Sequence, residues 1–143
     1  MRVPRARVDP TLPLPTYATS GSVGVDLITR ETTHIEPGGI GYVPANVIIA
    51  APPGYMVLVT ARSSTPRRTG LVVPHGVGII DRDYCGPQDE IHVQFWNPTD
   101  KAVDVERGTR IAQAILVRVE TVDWQEGLPE GVSTRGGFGS TGA

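Results

Sequence analysis

The chain has 143 residues, of which 39% are hydrophobic and 20% charged, with a net charge of −2; this length suits one domain that buries roughly 68–70% of its unfolded surface. The composition lacks the basic excess that tracks a nucleic-acid backbone, and no apolar stretch has the length of a membrane span or follows the N-terminal arginines as a signal segment would. Nucleic acid and membrane are therefore not expected as partners, the chain is read as cytoplasmic, and the single cysteine, Cys85, forms no intramolecular disulfide and no metal-ligand pattern with His34, His75 and His92.

The 17 glycines and 13 prolines punctuate short apolar runs instead of forming a tract. The first segment with chemistry is TSGSVGVDLITR, 19–30, where Asp26 sits between Val25 and Leu27. Aspartate is disfavoured in a strand, so Asp26 is either an edge or turn residue or a carboxylate near a metal or an arginine. The runs GIGYVPANVIIAAP and GYMVLVTAR follow, divided by the turn signal PPG. TARSSTPRRTG, 60–70, gathers Arg62, Ser63 and Ser64 in a loop that is either an anion cradle or a solvated turn.

HGVGIIDRDYCG, 75–86, leads an apolar run straight into Asp81, Asp83 and Tyr84. It reads as a hairpin at the end of a buried strand, presenting a carboxylate that can act as a general base and a ring that can stack on a sugar or base, or simply as an acidic turn. EIHVQFWNP and KAVDVE are further strand-like runs. RIAQAILVRVETVDW is long enough for a helix, but it lacks a polar stripe and is rich in β-branched residues, so strand is expected. Within it Gln113 is either a satisfied core amide or a donor to a ligand. STRGGFGSTGA, 133–143, is too poor in side chains to be ordered alone, and Phe138 there is either a stray hydrophobe or part of a lid. Many short strands between turns predict an all-β domain over 1–132 and a flexible glycine-rich arm over 133–143.

Five of these segments, SVGVDL, ARSS, GVGIIDRDYCG, GTRIAQ and RGGFGSTG, stand in the order and at the separations of the five motifs of the trimeric deoxyuridine triphosphate nucleotidohydrolases, the dUTPases. The chain resembles that family from about residue 12 to its end. The resemblance implies a jelly-roll-like distorted β-barrel, a homotrimer with active sites shared between subunits, and hydrolysis of dUTP to dUMP and pyrophosphate, which limits uracil in DNA and supplies dUMP for thymidylate synthesis. It implies that Asp81 activates the water attacking the α-phosphorus, that Tyr84 lies against the deoxyribose, and that the backbone around Gly76 to Ile80, with Gly78 and Ile80, reads the uracil edge. Arg62, Ser63, Ser64 and Gln113 would hold phosphates, and Asp26 would approach, through water, a Mg²⁺ held mainly by the triphosphate. A neighbouring subunit's arm would close with Arg135, Gly139 and Ser140 on the phosphates and Phe138 over the uracil.

The chain departs from the family pattern at His75, where many members have an asparagine near the uracil edge, and after Ser64, where Arg67 and Arg68 are read as surface charges. The related dCTP deaminases need a glutamate where this chain has Gln94, and an amide cannot shuttle the proton of deamination. A nucleotide-binding module without catalysis would be expected to have lost Asp81 or the tail motif, and both are present.

Overall fold

The structure is a computed structural model that describes residues 1–134, 136 and 137. Its elements in chain order are β1 (Arg5–Arg7), β2 (Val25–Ile28), β3 (Thr33–Ile35), β4 (Ile40–Pro44), β5 (Val47–Ile49), β6 (Tyr55–Ala61), α1 (Thr65–Thr69), β7 (Gly78–Ile80), β8 (His92–Trp96), β9 (Val103–Val105) and β10 (Arg110–Arg118). All pairings are antiparallel. One sheet has the order β2-β10-β6-β7, and three two-stranded ladders pair β1 with β5, β3 with β9 and β4 with β8. This is the all-β domain that the strand spacing predicts, in the jelly-roll-like distorted-barrel form that the family resemblance implies. Among the described residues no helix is long and apolar enough to cross a membrane.

Alternation explains which side chains enter the core. Val57 and Val59 of β6, Val93 and Phe95 of β8 and Leu27 of β2 point inward and are nearly or wholly buried, joined by Leu71 and Ile91 from the connections. Strand β10 lies between β2 and β6 and is covered along much of its length, which is why RIAQAILVR lacks a polar stripe. The strand reading of this run holds, ending at Arg118.

Three details differ from the sequence expectation. GIGYVPANVIIAAP is two strands, because Asn46 takes a left-handed conformation (φ 57°) with its side chain buried. The stretch after Ser64 is a helical turn. Pro66 sits in its first turn, Arg67 and Arg68 face its negative end, and Gly70 closes it at φ 77° with its N–H donating to the Pro66 carbonyl at 2.8 Å. A side chain at Gly70 would also collide with Thr99 Cγ2. Finally, β7 is not a buried strand of a hairpin: among the described residues it pairs only with β6, at the edge of the sheet, while β8 pairs with β4.

Candidate active site

Asp26 faces Gln113 across the β2–β10 ladder. A register irregularity between Arg110 and Ala112 re-aims the start of β10, and Arg110 reaches back to Asp26. Arg62 leaves the end of β6 toward the same carboxylate. The contacts are Arg62 Nε to Asp26 Oδ1 at 2.8 Å and Arg110 Nη1 to Asp26 Oδ2 at 3.1 Å, with Arg62 Nη1 also donating to the Arg110 carbonyl at 3.2 Å. The hydroxyl of Thr65 donates to the Ile111 carbonyl at 2.6 Å in a buried bond, which fixes α1, and with it Ser63 and Ser64, against β10.

These groups border a cavity of about 400 Å³ lined by Arg62, Ser64, Arg68, Thr69, Thr109 and Arg110. Three guanidinium groups against one carboxylate leave this end of the fold locally positive on a net-acidic chain, as an oxyanion site requires. Arg68, read from the sequence as a surface charge, is exposed and also lines this cavity. Of the two readings of Gln113, the structural one has a concrete contact: Nε2 donates to the Ala61 carbonyl at 3.2 Å. Its Oε1 lies so near Gly24 that a side chain there would meet it at 2.8 Å.

A second cavity, of about 360 Å³, opens beside β7 and is lined among others by His75, Gly78, Ile80, His92 and Gln94. Strand β7 has no partner on its outer side among the described residues, so its alternate N–H and C=O groups are available to a planar donor–acceptor edge. His75 is exposed at this cavity, and its Nδ1 lies 2.6 Å from the Val77 carbonyl. A carbonyl accepts only, so Nδ1 donates to it and Nε2 is left facing outward.

Asp81 and Tyr84 follow β7 in a turn closed by the Tyr84 N–H donating to the Asp81 carbonyl at 3.2 Å. Asp81 is exposed, and among the described residues no hydrogen bond or ion pair engages its carboxylate. It borders an open hollow beside Pro53, Gly54, Tyr55 and Met56. The Tyr84 ring is 41% exposed and its hydroxyl donates to the Glu90 carbonyl at 3.2 Å.

The structure thus brings Asp26, Arg62, Ser64 and Gln113 together at one place, and His75, Gly78 and Ile80 at another. It does not bring Asp81 to Arg62 within the chain. Ile80 pairs with Val57, which puts Asp81 level with Met56, whereas Arg62 lies beyond the opposite end of β6. Six residues of strand separate those levels by about 20 Å, farther than a triphosphate chain reaches. Arg135, Phe138, Gly139 and Ser140 lie outside the described residues. Arg110 was not singled out from the sequence; its signal is an arginine opening the apolar strand that carries Gln113, on the edge facing Asp26.

The dUTPase family model matches residues 11–142. A protein of Dictyoglomus turgidum named deoxyuridine 5'-triphosphate nucleotidohydrolase is 40% identical over 148 residues, covering 99% of each chain. One of the same name from Thermobifida fusca is 42% identical over 146 residues, covering 99% of this chain and 79% of that one. Among solved structures, a dUTPase from Streptococcus mutans superposes with a TM-score of 0.77 at 32% identity, over 84% of this chain and 98% of that one.

Proposed function

The chain belongs to the dUTPase family and hydrolyses dUTP to dUMP and pyrophosphate, and we propose that Asp81 is the general base of that reaction in a site assembled from more than one protomer of a homotrimer. The observation that carries the assignment is the contrast between two aspartates. Each oxygen of Asp26 already accepts from a guanidinium group that anchors it in place, whereas the Asp81 carboxylate is exposed and, among the described residues, unengaged.

In this reading Asp81 accepts a proton from water as the water oxygen bonds to the α-phosphorus. The bond from that phosphorus to the bridging oxygen breaks, and pyrophosphate leaves with the bridging oxygen's charge. Arg62, Ser63, Ser64 and Gln113 hold the phosphates, joined by Arg110. The open edge of β7, through Gly78 and Ile80 with His75 beside it, takes the uracil edge, and Tyr84 lies against the deoxyribose. The arm over 133–143 closes the site, with Arg135, Gly139 and Ser140 on the phosphates and Phe138 over the base. Ordering such an arm is offset only when phosphate contacts add to an aromatic–base stack worth about 1–3 kcal/mol, so it closes on the triphosphate and releases the monophosphate.

Among the described residues there is no group of three His, Cys, Asp or Glu side chains able to cage a metal. One carboxylate beside a phosphate cradle does fit Mg²⁺ carried by the substrate's own oxygens, with Asp26 reached through water. When bound, the ion neutralises charge on the triphosphate and polarises its oxygens.

The test is to incubate the protein with Mg²⁺ and each deoxynucleoside triphosphate in turn and to follow pyrophosphate and ammonia. Pyrophosphate from dUTP alone is expected. Ammonia from dCTP would overturn the assignment, since Gln94 on β8 cannot serve as a deaminase acid–base group.

A further inference from the structure

Behind Tyr84 lies an ion pair that no step of the reaction uses, between the buried Glu90 and a partly exposed Arg30 that also meets the exposed Glu31. Glu90 is 5% exposed and its carboxylate accepts three hydrogen bonds from Arg30: Nε to Oε1 at 2.9 Å, Nε to Oε2 at 3.1 Å and Nη2 to Oε2 at 2.9 Å. The backbone N–H of Asn46 adds a fourth, to Oε1 at 2.8 Å. Two well-packed apolar residues would fill such a space without the desolvation cost of two charges, so stability alone is a poor reason for the pair. Orientation is a better one. The carbonyl of the same residue accepts from the Tyr84 hydroxyl at 3.2 Å and lies 2.9 Å from His92 Nδ1. The flanking chain is pinned too: Asp89 is closed onto Gly86, and Ile91 exchanges backbone bonds with Val47 and Ala45.

We propose that the Arg30–Glu90 ion pair is a positioning device for the Tyr84 ring, and that through it these two residues set how strongly the enzyme prefers a deoxyribose to a ribose nucleotide. The inference rests on the reading of Tyr84 as the residue against the sugar. Rejecting one added hydroxyl requires a wall that does not yield. A half-exposed ring free at its hydroxyl end swings aside, but a ring bonded to a fixed carbonyl moves only by breaking that bond. Arg30 and Glu90 touch no substrate, so their role is positioning and not catalysis.

The experiment compares kcat/KM for dUTP and for UTP, by pyrophosphate release with Mg²⁺, in Tyr84→Ala, Tyr84→Phe, Glu90→Gln, Arg30→Lys and the double variant Tyr84→Phe/Glu90→Gln, with a melting temperature for each. Tyr84→Ala is expected to lose most of the preference. Tyr84→Phe and Glu90→Gln are each expected to lower the dUTP-to-UTP ratio by about three- to tenfold, the worth of one hydrogen bond. The double variant should fall no further than Tyr84→Phe, because both remove the same tether. A merely structural ion pair would lower the melting temperature and both activities together, leaving the ratio unchanged; that result overturns the proposal. Should Glu90→Gln fail to fold, Arg30→Lys keeps the charge and loses the Nε contacts, and an unchanged ratio there overturns it equally. An unchanged ratio in Tyr84→Ala instead sinks the reading of Tyr84 at the sugar, and the inference falls with it.

Discussion

Asp26 and Asp81 have the same charge in the chain and opposite surroundings in the fold. If Asp81 is the base, replacing it by Asn exchanges the basic carboxylate for a non-basic amide of the same shape, so kcat should fall by about 10²–10⁴-fold with dUTP affinity nearly kept. Replacing Asp26 by Asn frees two guanidinium groups from their common anchor, so its effect should fall more on KM. Steady-state pyrophosphate release separates the two, and a large kcat loss confined to Asp26→Asn would reverse the roles. The motif wording made Asp81 and Tyr84 legible as a pair, and an arginine beside Asp26 stood among the open alternatives. Arg110 was not legible, because its approach depends on the irregularity in β10, a feature of pairing that one strand's sequence does not contain.

At the scale of elements, the short ladder of β3 and β9 shows charge reinforcing pairing. His34 and Asp104 are register partners, and His34 Nδ1 lies 2.5 Å from Asp104 Oδ1, with Glu36 3.3 Å from Nε2. The bond to Asp104, then that to Glu36, raises the His34 pKa above its ordinary 6.5. A raised folded value means that the native state binds the proton more tightly, so the contribution is fully present below the unfolded pKa and is lost as pH rises through the folded one. The melting temperature of the parent should therefore exceed that of His34→Gln by more at about pH 5.5 than at about pH 9, by a small margin since the site is in solvent. An equal gap at both would show that the ladder draws nothing from this charge. Of the two strands, β9 is legible within the run KAVDVE, whereas β3 is not: THI has three residues and no apolar alternation beyond Ile35, which alone of the three is buried. The long runs behaved otherwise. RIAQAILVR was legible as a strand because its β-branched content and missing polar stripe agree with a central position, while the turn of α1 was obscured by a proline that looks like a loop signal and in fact opens the helix.

For the whole molecule, two observations support the proposed site shared between copies. Segment 119–134 leaves β10 with Val122, Trp124, Leu128 and Val132 exposed, Trp124 at 93%, and the β4–β8 ladder exposes Ile40, Tyr42 and Trp96. Apolar surface of this extent is what a contact between copies would cover. The β6 register separately keeps Asp81 and Arg62 of one protomer at opposite ends of a strand. Both are resolved if Asp81 of one copy meets Arg62 of another. Mixing then distinguishes the arrangements: Asp81→Asn and Arg62→Ala proteins, each nearly inactive alone, are unfolded together at equal concentration and refolded. In a closed ring with each site drawn from two chains, random assembly pairs an intact Asp81 with an intact Arg62 in about a quarter of the sites, so about a quarter of the parent activity should return. A site contained within one chain would recover nothing, because every chain in the mixture lacks one of the two groups.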